Sequence, residues 1–353
     1  MNILLVFHMA EVFDRGLAGK ILDSISSLGE VDCRIAGVTG FTAALDSGLG
    51  STVKLEDRLV SEIISSSTCD VAILASYSSN PAKFHAYCWL ISRRVKGKPI
   101  VEVEANSRVV IPVTAGAEDV ASRVAELLGY EVTPRVSFEE NIWRVGGKTY
   151  RRVLAAEPGD FILVNGIIVG KATSSDVVLV EENGRITGGV GVNLKLHGLE
   201  KLERLGFKGL ASSKVSSLKL LRGVPPSRAK LSCKGTGVAM LDHEVRRIHE
   251  LASRVEGVIA VGDDTTLIVA DVFERYGKPI MGIMDGDADG LMALSKLPSN
   301  SILLVVERDD EAGQLVKQRV LGGKDYVEDS FKVVAEKVVE LLKPTTKITI
   351  RLR

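Results

Sequence analysis

The chain has 353 residues, more than the ~100–200 that one typical domain needs, and this points to two or three compact units. Its 45 basic and 45 acidic residues cancel, which argues against a phosphate polymer or an anionic membrane as the general partner. A hydrophobic share of 45% beside 25% charged residues excludes wholesale disorder, and with aromatics at only 5% the core has to be aliphatic.

The first apolar run, residues 3–7, reads as a strand and lacks the basic region and cleavage site of a signal peptide. No apolar stretch reaches the ~18 residues of a membrane span, so a cytoplasmic protein without membrane contact is expected. A helix over 13–28 and a strand over 31–38 follow, with Gly40 and Thr42 in a turn. Next come a helix over 55–67, a strand over 71–75, a helix from Pro81 to Gly97, strands over 99–103 and 109–113, and a helix over 118–128 closed by Gly129. Solid apolar strands separated by helices indicate a parallel sheet covered on both faces, here a Rossmann-like domain over 1–133.

The middle of the chain changes character. Asn165-Gly166 and Asn183-Gly184 each sit between short apolar runs, the pattern of a two-residue hairpin turn, and predict a small antiparallel β domain over 134–206. Residues 207–230 read as a basic bridge containing Pro225-Pro226. The α/β rhythm returns over 231–353, with a helix over 238–255, strands over 257–261, 278–284 and 301–306, helices over 265–276, 290–295, 311–320 and 330–342, and an edge strand at the end. The expected fold class is therefore α/β: two Rossmann-like open parallel-sheet domains flanking a small antiparallel β unit. Cys33, Cys69, Cys88 and Cys233 show no CxxC or His-rich spacing and read as buried free thiols.

The strongest chemical signal is a pair of acidic loops after two strands of the last domain, Gly262-Asp263-Asp264-Thr265 and Asp285-Gly286-Asp287-Ala288-Asp289-Gly290. Ligands of open parallel sheets bind outside the carboxyl ends of the strands. Clustered carboxylates stay ionised together only beside a compensating cation, for which Mg²⁺ is the natural oxygen-seeking choice. Asp263, Asp264, Asp285 and Asp287 are the candidate metal ligands, and Asp263, Asp285 and Asp287 the candidate catalytic groups; helix capping by Asp264 or Thr265 is the plainer alternative. An EF-hand is excluded because the position for its bidentate Glu is Lys296. Glu307-Arg308-Asp309-Asp310-Glu311-Ala312-Gly313 supplies a third acidic strand end, which helix initiation also explains.

Lys234, in Lys234-Gly235-Thr236-Gly237 ahead of the helix expected at 238–255, and Thr265 are candidate phosphate contacts. So are Ser78 and Ser79 before the Pro81 helix, where free N–H groups suit an anion. His8, Glu11 and Asp14 form a further polar loop after the first strand, with His8 and Asp14 as a possible acid/base pair and no glycine fingerprint for a dinucleotide. His243 and His249, six apart on that helix, do not share a face and do not suggest a metal pair. Lys214, Lys219, Arg222, Arg228, Lys230 and Lys234 read either as a solvated linker or as a phosphate-binding strap.

Residues 257–322, with an acidic loop after one strand and Asp310-Glu311-Ala312-Gly313 opening a helix, resemble a Toprim domain, the Mg²⁺-binding unit of primases and topoisomerases. Gly262-Asp263 stands near that family's glutamate, and Arg308 occupies the first acidic position of its DxD. The wider set, from His8 with Asp14-x-Gly16 through Asn165-Gly166 to Gly262-Asp263-Asp264-Thr265 and Asp285-Gly286-Asp287, resembles an uncharacterised archaeal family, domain of unknown function 2117, over nearly the whole chain. That resemblance implies archaeal origin and does not supply an activity. The expected function is Mg²⁺-dependent binding and phosphoryl or nucleotidyl transfer or hydrolysis on a phosphate-bearing small molecule or nucleotide. The alternative is a non-catalytic nucleotide-sensing or nucleic-acid-binding protein with a degenerate Toprim-like domain.

Overall fold

A computed structural model describes residues 1–78, 80–137, 141–218, 222, 225–286 and 297–352. Its chain begins with β1 (Asn2–Phe7), α1 (Glu11–Asp14), α2 (Ala18–Ser26), β2 (Glu30–Ala36), α3 (Val38–Asp46), β3 (Lys54–Glu56) and α4 (Val60–Ser66). It continues with β4 (Val71–Ser76), α5 (Pro81–Arg94), β5 (Ile100–Glu104), β6 (Val109–Pro112), α6 (Glu118–Leu128) and β7 (Glu131–Val132). The middle holds β8 (Ile142–Val145), β9 (Lys148–Val153), β10 (Phe161–Val164), β11 (Ile167–Ala172), β12 (Val177–Glu182), β13 (Arg185–Val190), β14 (Val192–Leu194), α7 (Leu196–Arg204) and β15 (Val215–Leu218). The last part is β16 (Val238–Asp242), α8 (Ile248–Arg254), β17 (Gly257–Val261), α9 (Asp263–Tyr276), β18 (Ile280–Met284), β19 (Ile302–Val306), α10 (Asp309–Arg319), β20 (Tyr326–Val327), α11 (Phe331–Leu342) and β21 (Thr346–Arg351).

These elements form two compact units, one of residues 1–36 and 52–224 and the other of residues 37–51 and 225–353. In the first, a seven-stranded sheet has the order β3-β2-β1-β4-β5-β6-β7. The chain runs outward from β1 to β3 and then returns to β4 on the other side of β1, which makes the carboxyl ends of β1 and β4 a topological switch point. Strands β1 to β5 are parallel, as the solid apolar runs of β1 and β4 predict, with β3 at the edge where the sequence suggested the start of a helix, whereas β6 turns back antiparallel on β5 through a short link with Arg108 at φ 58°. Helix α5 starts where the Asn80 side chain accepts from the Ala82 N–H and Pro81 presets the first turn, and it ends on Arg93 and Arg94, which suit the negative end of the helix dipole.

The antiparallel part is larger than expected. Two four-stranded sheets, β14-β11-β10-β15 and β13-β12-β9-β8, enclose one aliphatic core around Ile162, Val169, Leu179, Leu202 and Leu210. Both Asn-Gly turns hold: Asn165 and Gly166 at φ 51° and 84°, and Asn183 and Gly184 at φ 52° and 77°, close the β10–β11 and β12–β13 hairpins. The basic bridge is in part a strand, because β15 pairs with β10. This β part falls within the first unit, where Lys83 of α5 reaches Asp160 at 2.9 Å and Glu157 at 2.8 Å.

The second unit has the order β20-β16-β17-β18-β19-β21, with the four central strands parallel and both edges antiparallel. Residues 238–255 are not the single helix the sequence suggests: Val238, Ala239, Met240 and Leu241 are buried in β16, and only Ile248–Arg254 is helical. Helices α8 and α9 cover one face and α10 and α11 the other. Gly40 and Thr42, expected in a turn, lie in α3, whose Val38 packs on the α8–α9 face. The helix expected at 290–295 lies outside the described residues. Of the four thiols, Cys33 and Cys88 are buried, while Cys69 and Cys233 are half-buried; none forms a disulfide. Among the described residues no helix is long and apolar enough to cross a membrane.

Candidate functional site

Because β16 to β19 are parallel neighbours in register, their carboxyl ends share one edge of the second sheet. Beyond those ends stand Asp242-His243, Asp263, Asp285 and Asp309-Asp310. One carboxylate oxygen each from Asp263, Asp285 and Asp309 lies within 4.8 Å of the others, so three strand ends supply one triad. Gly313 allows this: a Cβ there would stand 2.9 Å from Val261 Cγ1, so its absence lets the first turn of α10 approach the end of β17. Asp309 is buried, at 9% exposure. Burial, and then the neighbouring Asp285, push its carboxyl above the ordinary range, while His243 pulls the other way.

His243 forms the rim. It follows β16 in a left-handed conformation, φ 52°, and its Nδ1 lies 2.7 Å from Asp242 Oδ1 and 3.5 Å from Asp310 Oδ1, with Nε2 3.9 Å from Asp309 Oδ2. Gly262, at φ 98°, makes room for the ring, since a Cβ there would come 3.0 Å from His243 Nε2. When protonated, the imidazole is a cationic partner for Asp242 and Asp310. The inner triad is an all-oxygen donor set whose chemistry fits a hard divalent cation.

The structure thus brings together Asp263 and Asp285, adds Asp309 and His243, and leaves Asp264 in the first turn of α9 outside the triad. Asp287 lies outside the described residues. Sequence reasoning discounted Asp309 as a helix starter and put His243 on a helix; the usable signal was a third acidic strand end following a third apolar strand. Thr265 is buried in the first turn of α9 rather than presented to a ligand. Lys234 is displaced altogether: it precedes β16 and so sits at the amino-terminal edge of the sheet, opposite the acids.

In the first unit the remaining candidates separate. The Ser78 N–H donates to Glu104 Oε1 at 2.7 Å and its hydroxyl to the Asn80 carbonyl at 2.9 Å, so this loop is held from within by a carboxylate that disfavours an anion. Glu104 also accepts from the N–H groups of Asn106 at 3.1 Å and Ser107 at 2.6 Å. Ser79 lies outside the described residues. Asp14 forms a two-pronged ion pair with Arg222 rather than a dyad with His8, and Glu11 lies in the first turn of α1. Arg222 is therefore engaged, as are Lys214 with Glu62 and Arg228 with Glu274, which removes much of the expected strap; Lys219 lies outside the described residues.

His8 instead stacks on Tyr87, with ring centroids 4.2 Å apart and planes at 11°, and burial pulls its pKa down to about 4. Next to the switch point Ser76 donates to Glu102 Oε1, and burial, opposed by that bond, pushes the fully buried Glu102 up to about 8. His8 Nδ1, Tyr87 Oη and Glu102 Oε2 are buried without a hydrogen-bond partner among the described residues.

Comparison with known proteins gives a sequence match and two structural alignments. An uncharacterized protein of Methanocaldococcus jannaschii is 28% identical over 347 residues, covering 92% of this chain and 93% of that one. Two crystal structures of Staphylococcus aureus homoserine dehydrogenase align at TM-scores of 0.19 and 0.20, with 14% and 12% identity, over 42% and 60% of this chain and only 34% and 45% of theirs. Residues 5–324, which hold the whole triad, match the family described as "Uncharacterized protein conserved in archaea (DUF2117)", and the chain belongs to that family.

Proposed function

We propose that the acidic edge of the second unit binds Mg²⁺ and, through it, a phosphate-bearing small molecule or nucleotide, as a site for phosphoryl or nucleotidyl transfer or hydrolysis. The carrying observation is the convergence of Asp263, Asp285 and Asp309 from three adjacent strand ends within 4.8 Å. Three carboxylates so close, one of them buried, repel one another, and a divalent cation offsets that repulsion. Helices α9 and α10 begin at the same edge, so their amino-terminal dipoles favour an anion once the carboxylates are neutralised. Asp242 and His243 orient the rim beside Asp309. The metal would supply charge neutralisation for a transferring phosphoryl group. Four thiols outside any disulfide agree with a cytoplasmic setting.

Calorimetric titration of Mn²⁺ and Mg²⁺ into wild type, Asp285→Asn and Asp309→Asn tests this reading. Saturable binding to wild type that weakens at least tenfold in both variants is the expected result. Equal binding in all three proteins, or none in wild type, removes the metal.

The second reading, a nucleotide-sensing or nucleic-acid-binding protein with a degenerate Toprim-like domain, draws on Arg308. This arginine stands exposed at the acidic edge, paired with Glu311 at 2.5 Å. A salt-sensitive gel shift abolished by Arg308→Glu supports it.

A further inference from the structure

The first unit contains a cleft of about 260 Å³ between the carboxyl end of α5 and the β part, lined by Trp89, Arg93, Arg94, Asn141, Arg151 and Lys214 among others. Among the described residues no carboxylate lines it. Arg151, on β9, is only 8% exposed. Its Nη1 donates to the Leu210 carbonyl at 2.7 Å, and its Nε is buried without a hydrogen-bond partner among the described residues. The charge acting on it is of its own sign, from Arg94. A buried guanidinium normally has a carboxylate or other anion against it, because an unpaired buried charge has lost its hydration with nothing in exchange. Among the described residues a backbone carbonyl is the partner shown for it, beside a second arginine at the exposed end of α5.

We infer that this cleft binds an oxyanion of the phosphate class carried by a small molecule, with Arg151 and Arg94 as its principal ligands. The planar fork of a guanidinium matches two phosphate oxygens at once, and Arg151 and Arg94 bring two such groups to one cleft. Arg93 lies over the Trp89 ring at 4.9 Å and adds charge beside it. Lys214 is already paired with Glu62 at 2.8 Å, so the two arginines carry the recognition. The volume admits a phosphate with a small organic moiety and is too small for a tracking polymer, which needs an extended groove. The site lies wholly in residues of the first unit and stands whether or not the acidic edge binds metal.

The test is a titration of inorganic phosphate into the full-length protein in chloride buffer with EDTA, followed by tryptophan fluorescence and calorimetry. It is repeated in Asp285→Asn to separate this site from the acidic edge. Saturable binding, unchanged in Asp285→Asn and weakened at least tenfold in Arg94→Gln and Arg151→Gln, is expected. Arg94 is exposed, so Arg94→Gln keeps the fold, and an unchanged melting temperature verifies this. Absent binding, or equal affinity in wild type and Arg94→Gln, overturns the inference. So does displacement of phosphate by a single-stranded oligonucleotide that binds more tightly and with steep salt dependence, since the cleft would then serve a nucleic acid.

Discussion

Glu102 shows how strongly one position can set the response of this protein to pH. Its carboxyl is fully buried on β5, against Ser76, with Glu104 two residues on and with Tyr87 within electrostatic reach. The folded value of about 8 lies above the ordinary 4.5. The native state therefore holds a proton that the unfolded chain has released, so its contribution to stability is complete below the unfolded value and is lost as pH rises through 8. Each unit of that window is worth ~1.4 kcal/mol. His8 has the opposite sign: its value falls from 6.5 to about 4, so its contribution is present above 6.5 and lost as pH falls toward 4. The Glu102 loss runs from about pH 4.5 to about 8 and His8 offsets it below 6.5, so denaturant melts at a series of pH values should show wild type losing stability between about 6.5 and 8. Glu102→Gln should flatten that limb and leave the His8 slope uncompensated between about 4.5 and 6.5, so that stability there rises with pH. A limb unchanged by Glu102→Gln would show that this carboxyl is not its source.

At the scale of elements, α3 and α9 are tied by a buried ion pair. Arg275 donates from Nε to Asp46 Oδ1 at 2.8 Å and from Nη2 to Oδ2 at 2.6 Å, with side-chain exposures of 0% and 2%. Removing one partner leaves the other with lesser contacts, Asp271 at 3.1 Å for Arg275 and the Ala229 N–H at 2.8 Å for Asp46, at a cost of up to ~3–5 kcal/mol. Asp46→Ala and Arg275→Met should each lower stability by about that amount, and the double variant should recover part of it, as a double-mutant cycle in urea measures. Additive losses would mean that the two side chains do not work as a pair. The strands that this pair supports were legible because β17, β18 and β19 are solid apolar runs ended by Asp or Glu, and the hairpins because Asn-Gly tolerates positive φ at both residues. Helix α3 was not legible: Val38-Thr39-Gly40-Phe41-Thr42 has weak helical propensity, and its helicity depends on tertiary partners in residues 225–353. The same holds for the site. Asp263 and Asp285 could be read from strand ends, whereas Asp309 needed the pairing of β18 with β19 and the approach that Gly313 permits. Arg151 carried no signal, since one arginine in an alternating strand reads as a solvent-facing residue.

Across the whole molecule, the chain crosses between its two units three times, because residues 37–51 leave the first unit after β2 and return to it before β3. When the second unit is folded, the ends of that excursion are held, and β2 and β3 pair without the full entropy of closing a free loop. Loosening the second unit restores a cost on the order of 2 kcal/mol to the first. Trp89 and Trp143 both belong to the first unit, so tryptophan fluorescence reports on it alone. Arg275→Met, although in the second unit, should therefore lower the fluorescence melting temperature as well as that seen by far-ultraviolet circular dichroism. A fluorescence melt identical to wild type would show that the two units unfold independently.

The same excursion has a consequence for synthesis. Helix α3 leaves the ribosome before all of residues 52–224 have been made, and the strands and helices that bury its apolar face come later still. At ~5–20 residues per second the nascent segment waits for roughly ten to thirty seconds with Val38, Ala43 and Ala44 uncovered. The second unit therefore cannot assemble in the order in which it is translated. Its first helix is made early and docked last, a delay that a circular permutant beginning at residue 225 would remove.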